Sequence, residues 1–406
     1  MVGMVIGMLG IIVIMQVFAL FEGQKRTTSG GGEAQNTGAI ALSGLSDDIR
    51  QSGYGFNLIN LIGCDVLLPA GLPMRSAGTV AATLKAMAPV TINSASVPAG
   101  DANTDTLLMA YGNSDVLPEG NSIVGPVIDS THFSVQSYKS FLAPPDPTVS
   151  HGDYVIATPQ NRSCAPSSPT VTILNQVTAV TNPTLTITPG VTPASSVTPG
   201  MLFNLGQTVT IHAYAVRNGS LTMCDYMTND CGDPLKVNPT VLNPTAVLDP
   251  TVWVPLASNI VSLRAQYGQD ITNHAPSIVS PKTGSMDGVV DIYSQTPPGN
   301  TGVSADACGW LRTLSIRLAL VARNSQLEKT VVTATAPPWE GSTATNNNPA
   351  WVGSTMGASA NPIDLTQNPN GTANPNWKNY RYKIFQSTVP IRNITSSVLL
   401  GVASGC

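Results

Sequence analysis

Charge is scarce in this 406-residue sequence: Asp, Glu, Lys and Arg together make up 10% of it, against roughly 25% in ordinary soluble proteins. The net charge is -4 and no basic run exceeds Lys25-Arg26. Nothing here would hold a phosphate backbone, so no nucleic-acid partner is expected. Aromatic residues are equally few, at 5%, and no haem-attachment motif occurs, which leaves an electron-conducting role without support. Paired CxxC cysteines, GxSxG, HExxH and the glycine loops of nucleotide sites are all missing, which removes the common zinc, hydrolase and cofactor signatures. His132, His151, His212 and His274 are isolated in sequence and read as structural. The chain is therefore expected not to be an enzyme and to carry no cofactor.

What is abundant excludes more. With 36 Gly and 32 Pro an all-helical bundle is ruled out, while a hydrophobic fraction of 42% is ample for a core. Six cysteines, Cys64, Cys164, Cys224, Cys231, Cys308 and Cys406, are scattered and even in number, which suits disulfides formed outside the cytosol. Cys224 and Cys231 flank a turn with Asn229 and Asp230 and close easily. The preferred remaining pairs are Cys64 with Cys164, and Cys308 with Cys406, the last tying down the C-terminus.

Met1 to Phe21 contains no charge and one polar side chain, Gln16. As a helix it would be about 31 Å long, the thickness of a bilayer core. It lacks the basic start and small-residue end of a secretory signal. Gly3, Gly7 and Gly10 are spaced to let helix backbones approach closely, and Glu22 follows the apolar run. Gly30, Gly31 and Gly32 then predict a weak joint, since each costs about 1 kcal/mol relative to alanine in a helix. Beyond it Leu42, Leu45 and Ile49 recur at helical spacing, with Ser46, Asp47, Asp48 and Arg50 on the other side, the pattern of an amphipathic helix. Three regions result: 1–22, a transmembrane or filament-core helix half; 23–55, a flexible joint and amphipathic half; and 56–406, a β-rich domain.

Short runs of β-branched and aromatic residues fill the third region, at 106–111, 154–158, 170–174 and 184–188. Asn218-Gly219 between 208–217 and 220–224 is a strong hairpin signal. Leu314, Ile316, Leu318 and Leu320 alternate with Ser315, Arg317, Ala319 and Val321 at strand period, and 383–392 makes a plausible last strand. Three stretches, 182–200, 238–255 and 336–379, are rich in Thr, Pro, Asn and Gly and read as long loops. Glycosylation sequons stand at Asn161, Asn218, Asn370 and Asn393.

The opening MVGMVIGMLGIIVIMQVF resembles the N-terminal helix of type IV pilins, and LSDDIRQSGYGFNLINLIGC resembles the "DIR-x-(A/S)GY…GC" passage of the PilW family of minor pilins. DANTDTLLMAYG, GDYVIATPQNRSCAPSSPTVTILNQVT, LASNIVSLRAQYGQD, MDGVVDIY, WLRTLSIRLALVAR and YRYKIFQSTVPIRN follow in family order. The resemblance implies an α+β fold in which a long pilin-type helix, apolar in its first half, packs by its second half on an antiparallel β-rich globular domain with long loops. It implies a structural subunit of an extracellular type IV pilus-like filament, assembled through that helix, with Gly3, Gly7, Gly10 and Glu22 on the assembly segment. The alternative is a minor, tip-located pilin that primes assembly or mediates adhesion. The implied partners are copies of itself or other pilins, the inner membrane before assembly, and the assembly machinery. Pilins carry a leader and an early glutamate. Either the start of this sequence is late or the subunit lacks that glutamate, so no processing site is assigned. PilW-like sequences also carry an Asp/Gly-rich, calcium-loop-like run where Asp270, Asp287 and Asp291 surround Gly288, which makes these three the calcium candidates.

Overall fold

The computed structural model describes residues 2–55, 60–72, 75, 80–115, 120–125, 129–144, 150–160, 172–239, 243–270, 288–290, 292–298, 304–342 and 362–393. It opens with one helix, α1 (Val2–Gln51), followed by β1 (Cys64–Leu68), β2 (Ala82–Met87), β3 (Val90–Ile92) and β4 (Leu107–Gly112). Six strands come next: β5 (Asn121–Ile123), β6 (His132–Ser134), β7 (Tyr154–Pro159), β8 (Thr172–Thr181), β9 (Thr184–Thr188) and β10 (Gly200–Gly206). Then follow β11 (Val209–Arg217), β12 (Ser220–Asp225) and β13 (Val254–Ser258). The last elements are β14 (Ile260–Gln269), β15 (Ile292–Ser294), α2 (Ser304–Leu311), β16 (Thr313–Arg323) and β17 (Tyr382–Pro390).

The strands form three sheets instead of one antiparallel system. A five-stranded sheet runs β13-β12-β11-β4-β3 and a four-stranded one β15-β14-β16-β17. The third runs β2-β1-β8-β7-β10-β5, with β9 and β6 continuing from β8, and its β1–β8 pair is parallel. From β5 to β10 the chain closes on itself. The antiparallel path β5-β10-β7-β8-β9-β6 returns to its start through the Ile123–Val135 bridge. The six strands thus make a small barrel, which removes the exposed edges of an open sheet. Its filling, including Phe133, Val155, Val177, Leu185 and Leu202, is a core of its own. The barrel is inserted into a single ladder, because Gly112 of β4 and Val209 of β11 on either side of it are paired neighbours.

Asn218 and Gly219 take φ of 50° and 70° and close β11 onto β12 with Arg217 opposite Ser220. Left-handed residues at both turn positions match the right-handed twist of the strands. Leu314, Ile316, Leu318 and Leu320 of β16 enter the main core under α1. Ala319 and Val321, on the opposite face, pack with Trp339, Ile363 and Leu365.

Several expectations are corrected. The chain is β-rich, and the α+β pilin-type class with a membrane-spanning helix half does not stand: among the described residues no helix is long and apolar enough to cross a membrane. The apolar and amphipathic halves do form one helix, α1, which runs through Glu22, Lys25 and Arg26 to Gln51. The joint at Gly30–Gly32 is also absent, the helix being unbroken there, because tertiary packing overrides weak propensity. The three supposed loops contribute core residues: Leu185, Ile187, Val191 and Val197 from the first, Ala246, Val252 and Trp253 from the second, and Trp339, Ile363 and Leu365 from the third.

Candidate functional site: the long helix and its seat

The first half of α1 projects a large apolar surface. Among the described residues, twelve large hydrophobic side chains between Met4 and Phe21 are exposed, with Met4 at 85% and Phe18 and Met8 at 71%. Consecutive exposure at Ile11, Ile12, Val13, Ile14 and Met15 shows that the surface goes round the helix, because five successive positions cover its whole circumference. A helix apolar all round is one that other apolar groups cover. Added Cβ atoms at Gly3, Gly7 and Gly10 would meet nothing within 4 Å, so the three glycines are open flat points on this surface. The side chain of Glu22 lies outside the described residues.

The second half is seated. Its buried face is a line of small residues, Gly30, Ala34, Gly38 and Ala41, that widens to Leu45 and Ile49. These positions fall three or four apart, one helical face, and they pack over β16 and β17. The missing side chains bring the backbone close: a Cβ at Gly38 would stand 2.2 Å from the Phe385 ring, and one at Gly30 3.5 Å from Asn324. Gly31 and Gly32 are exposed with nothing within 4 Å.

The helix stops at Gly53, whose φ of +88° suits the left-handed cap position. The carbonyls left over at the end are bonded by Asn393, whose side chain donates to Gln51 O at 2.8 Å and Ser52 O at 3.1 Å. Gly53 N–H in turn donates to Ala110 O of β4 at 2.8 Å.

One turn before this end, Asp48 faces the β4–β11 sheet, although the sequence pattern puts it on the solvent side. His212 Nδ1 lies 2.8 Å and the Tyr214 hydroxyl 2.5 Å from its Oδ2, and Tyr111 donates to Oδ1 at 3.2 Å. Burial alone would raise the Asp48 pKa. The hydrogen bonds from His212 and Tyr214, with the attraction of His212 and the bond from Tyr111, outweigh it and hold the carboxyl below its usual 3.8. The same charge works against tyrosine ionisation: burial first and Asp48 second push Tyr111 up to about 12 and Tyr214 higher still. The cluster holds the helix end on the sheet and has the chemistry of an anchor. Of the other histidines, His132 pairs with Asp129 at 2.8 Å, His151 Nδ1 is 3.1 Å from Gly152 O, and His274 lies outside the described residues.

The remaining predicted residues divide by what is described. Cys224 and Cys231 are joined, with Cα atoms 5.8 Å apart. Cys64 is disulfide-bonded too, while Cys164, Cys406 and the Cys308 side chain lie outside the described residues. Asp270 is buried and accepts the Gly288 N–H at 2.8 Å. Asp287 and Asp291 lie outside the described residues, and no group of three or more His, Cys, Asp or Glu side chains fit to hold a metal occurs among those described. The Asp48 cluster escaped the sequence reading; the one signal for it was a carboxylate one position from the apolar Ile49.

With the helix, its seat and the last sheet in place, comparison with known families is informative. Residues 246–393 match the family of type IV pilus-assembly protein W, PilW. The PilW stretch runs from the approach to β13 through β17. It contains the whole four-stranded sheet under α1, Phe385 against Gly38, and the Asn393 cap. The barrel and the Asp48 partners on β4 and β11 fall outside it. The chain is thus related to type IV pilus assembly. No curated protein and no solved structure matches the chain.

Proposed function

We propose that this protein is a non-catalytic structural subunit of an extracellular type IV pilus-like filament, in which α1 packs against α1 of neighbouring copies or other pilins. The observation that carries the reading is the exposed apolar first half of α1, held out from a domain that firmly seats the second half. Covering such side chains contributes roughly 1.5 to 3 kcal/mol each, so a helix with twelve of them exposed has a strong drive to associate. Open positions at Gly3, Gly7 and Gly10 favour close helix approach. The description of the matched family as an assembly protein favours a second reading, a minor subunit at the tip that primes assembly or adheres.

The test is to shear filaments from cells and quantify this chain in them by mass spectrometry. A bulk component supports the first reading and a trace, tip-bound component the second; complete absence from filaments overturns both. In the first case, replacing Ile11 and Val13 with Asp is expected to abolish filament incorporation while the domain keeps its melting temperature.

A further inference from the structure

Between the third core and β17 the chain makes a small surface hairpin, residues 366–374, whose tip is an Asn-Gly pair. Its arms are joined by the Gln367–Ala373 bridge and by two backbone bonds, Asn368 N–H to Thr372 O and Asn374 N–H to Thr366 O, both 2.7 Å. Gly371 has a φ of +86°, which glycine adopts without strain, and its N–H donates to Asn368 O at 2.9 Å. Asn370, Gly371 and Thr372 are all exposed. The Asn370 side chain is fixed even so: its Oδ1 accepts from the Thr372 hydroxyl at 2.7 Å and from the Thr372 N–H at 3.1 Å. Asn368 Nδ2 donates to the Thr372 hydroxyl oxygen at 3.1 Å, which orients that hydroxyl toward Oδ1.

Two donors on an amide oxygen polarise the Cγ carbonyl. They are also in place for the negative charge that builds on Oδ1 when a nucleophile adds to Cγ, the arrangement of an oxyanion hole. The nucleophile within reach is the next backbone nitrogen, Gly371 N, which closes a five-membered ring and has no side chain beside it to block the approach. The same donors favour the product of such a reaction. Asp129, Asp249 and Asp364 each accept from the N–H and the hydroxyl of a threonine two residues on, at distances between 2.6 and 2.9 Å. The Thr131 N–H foremost, and the Thr251 hydroxyl foremost, hold the Asp129 and Asp249 carboxyls below their usual 3.8. Position 370 is thus the same turn occupied by an amide, and a charged acceptor makes stronger hydrogen bonds than a neutral one.

The second Asn-Gly pair has the opposite surroundings. Asn218 and Gly219 donate their N–H groups to Asp101 Oδ1 and Oδ2, each at 2.7 Å, and Asp101 is buried. Beside that carboxylate the Gly219 nitrogen is held from losing the proton it must give up to attack. No donor among the described residues meets the Asn218 side-chain oxygen.

We propose that Asn370 is a self-modifying site, converted by the chain itself from an amide to a carboxylate. Gly371 N bonds to Asn370 Cγ, the Cγ–Nδ2 bond breaks, and ammonia leaves with the Gly371 amide proton. Water then opens the cyclic imide, at Cγ to give aspartate or at the main-chain carbonyl to give isoaspartate. The site is independent of whether the chain forms filaments. The test uses the full chain in detergent, purified at mildly acidic pH, where the attacking nitrogen keeps its proton, then held at mildly alkaline pH and sampled by peptide mass mapping. The expected result is the mass gain of replacing NH2 by OH at Asn370, at least about tenfold faster than at Asn218. Thr372→Val removes one of the two oxyanion donors and should slow the conversion about tenfold or more, while Thr372→Ser keeps the hydroxyl and should retain the wild-type rate. The comparison of Asn370 with Asn218 needs no variant, so it holds whether or not a substitution disturbs the hairpin. Equal rates at the two positions, or a Thr372→Val rate at or above that of the wild type, would each overturn the proposal.

Discussion

Asp48 is the residue on which the seating of the helix can be tested most directly. Its carboxylate is held below the ordinary 3.8 of a free aspartate, so it contributes stability that is fully present above that value and is lost as pH falls through the lower, folded-state value. The groups facing it are His212, Tyr214 and Tyr111, with Asp225 acting on Tyr111. Asp48→Asn should destabilise the domain by about 1 to 3 kcal/mol at neutral pH, the usual effect of weakening a hydrogen-bonded buried charge. The gap between wild type and variant, measured by urea unfolding, should persist down to 3.8 and shrink below it. A gap that grows on acidification would show that the carboxylate is not the stabilising form. Tyr214→Phe provides a milder check, since it removes one donor and leaves the ring.

At the scale of the element, glycines of one helix have opposite roles that only their surroundings reveal. Gly38 lies under the Phe385 ring, where a Cβ would come within 2.2 Å, whereas Gly31 and Gly32 face open space. Gly31→Ala and Gly32→Ala should therefore each stabilise the domain by up to about 1 kcal/mol through helix propensity. Gly38→Ala gains the same propensity but must displace a ring packed on the core, and overpacking of this kind costs about 1 to 3 kcal/mol. Thermal melts of the three variants should move in opposite directions. The glycine run predicted a joint on propensity alone, and that argument fails because propensity says nothing about a partner surface. The strands were more legible. The alternation along 314–321 and the Asn218-Gly219 turn are local signals, and local signals survive folding because they set backbone geometry directly.

For the whole molecule the insertion of residues 113–208 is the feature with the clearest consequence. Its six strands close into a ring with a separate core, and its two ends leave from paired positions of one ladder. Its inner face has its own core, while Tyr154, Ile156, Leu174, Phe203 and Leu205 on the outer face share a core with β4 and β11; β4 and β11 end as paired neighbours that a tight turn can join. The fragment 113–208 is expected to give a cooperative melt by itself, and the chain in which an Asn-Gly turn replaces it should keep the Asp48 and Phe385 contacts. Calorimetry of the intact protein should then show two transitions. A fragment that stays unfolded would mean that the parallel β1–β8 pair or the outer-face packing on β4 and β11 is essential to the barrel.

What the sequence determined by itself is the content of short windows and their order along the chain. The apolar run at the start, the strand positions of β4, β7, β9, β11, β12, β16 and β17, the Cys224–Cys231 proximity and the resemblance to PilW all rest on residues close in sequence, where spacing and composition carry the physics. Only the tertiary structure decided which surface each window meets. Asp48 became an anchor because β4 and β11 bring Tyr111, His212 and Tyr214 to it from more than sixty residues away. Gly30, Ala34, Gly38 and Ala41 became the seat because β16 and β17 press on them. Trp339, Ile363 and Leu365, in a stretch with the composition of a loop, became core because β16 offers Ala319 and Val321 on its far face. Such contacts depend on closing long segments of chain, and the free energy that selects among them comes from apolar burial and hydrogen-bond satisfaction. Those quantities have no value until the partners are in place.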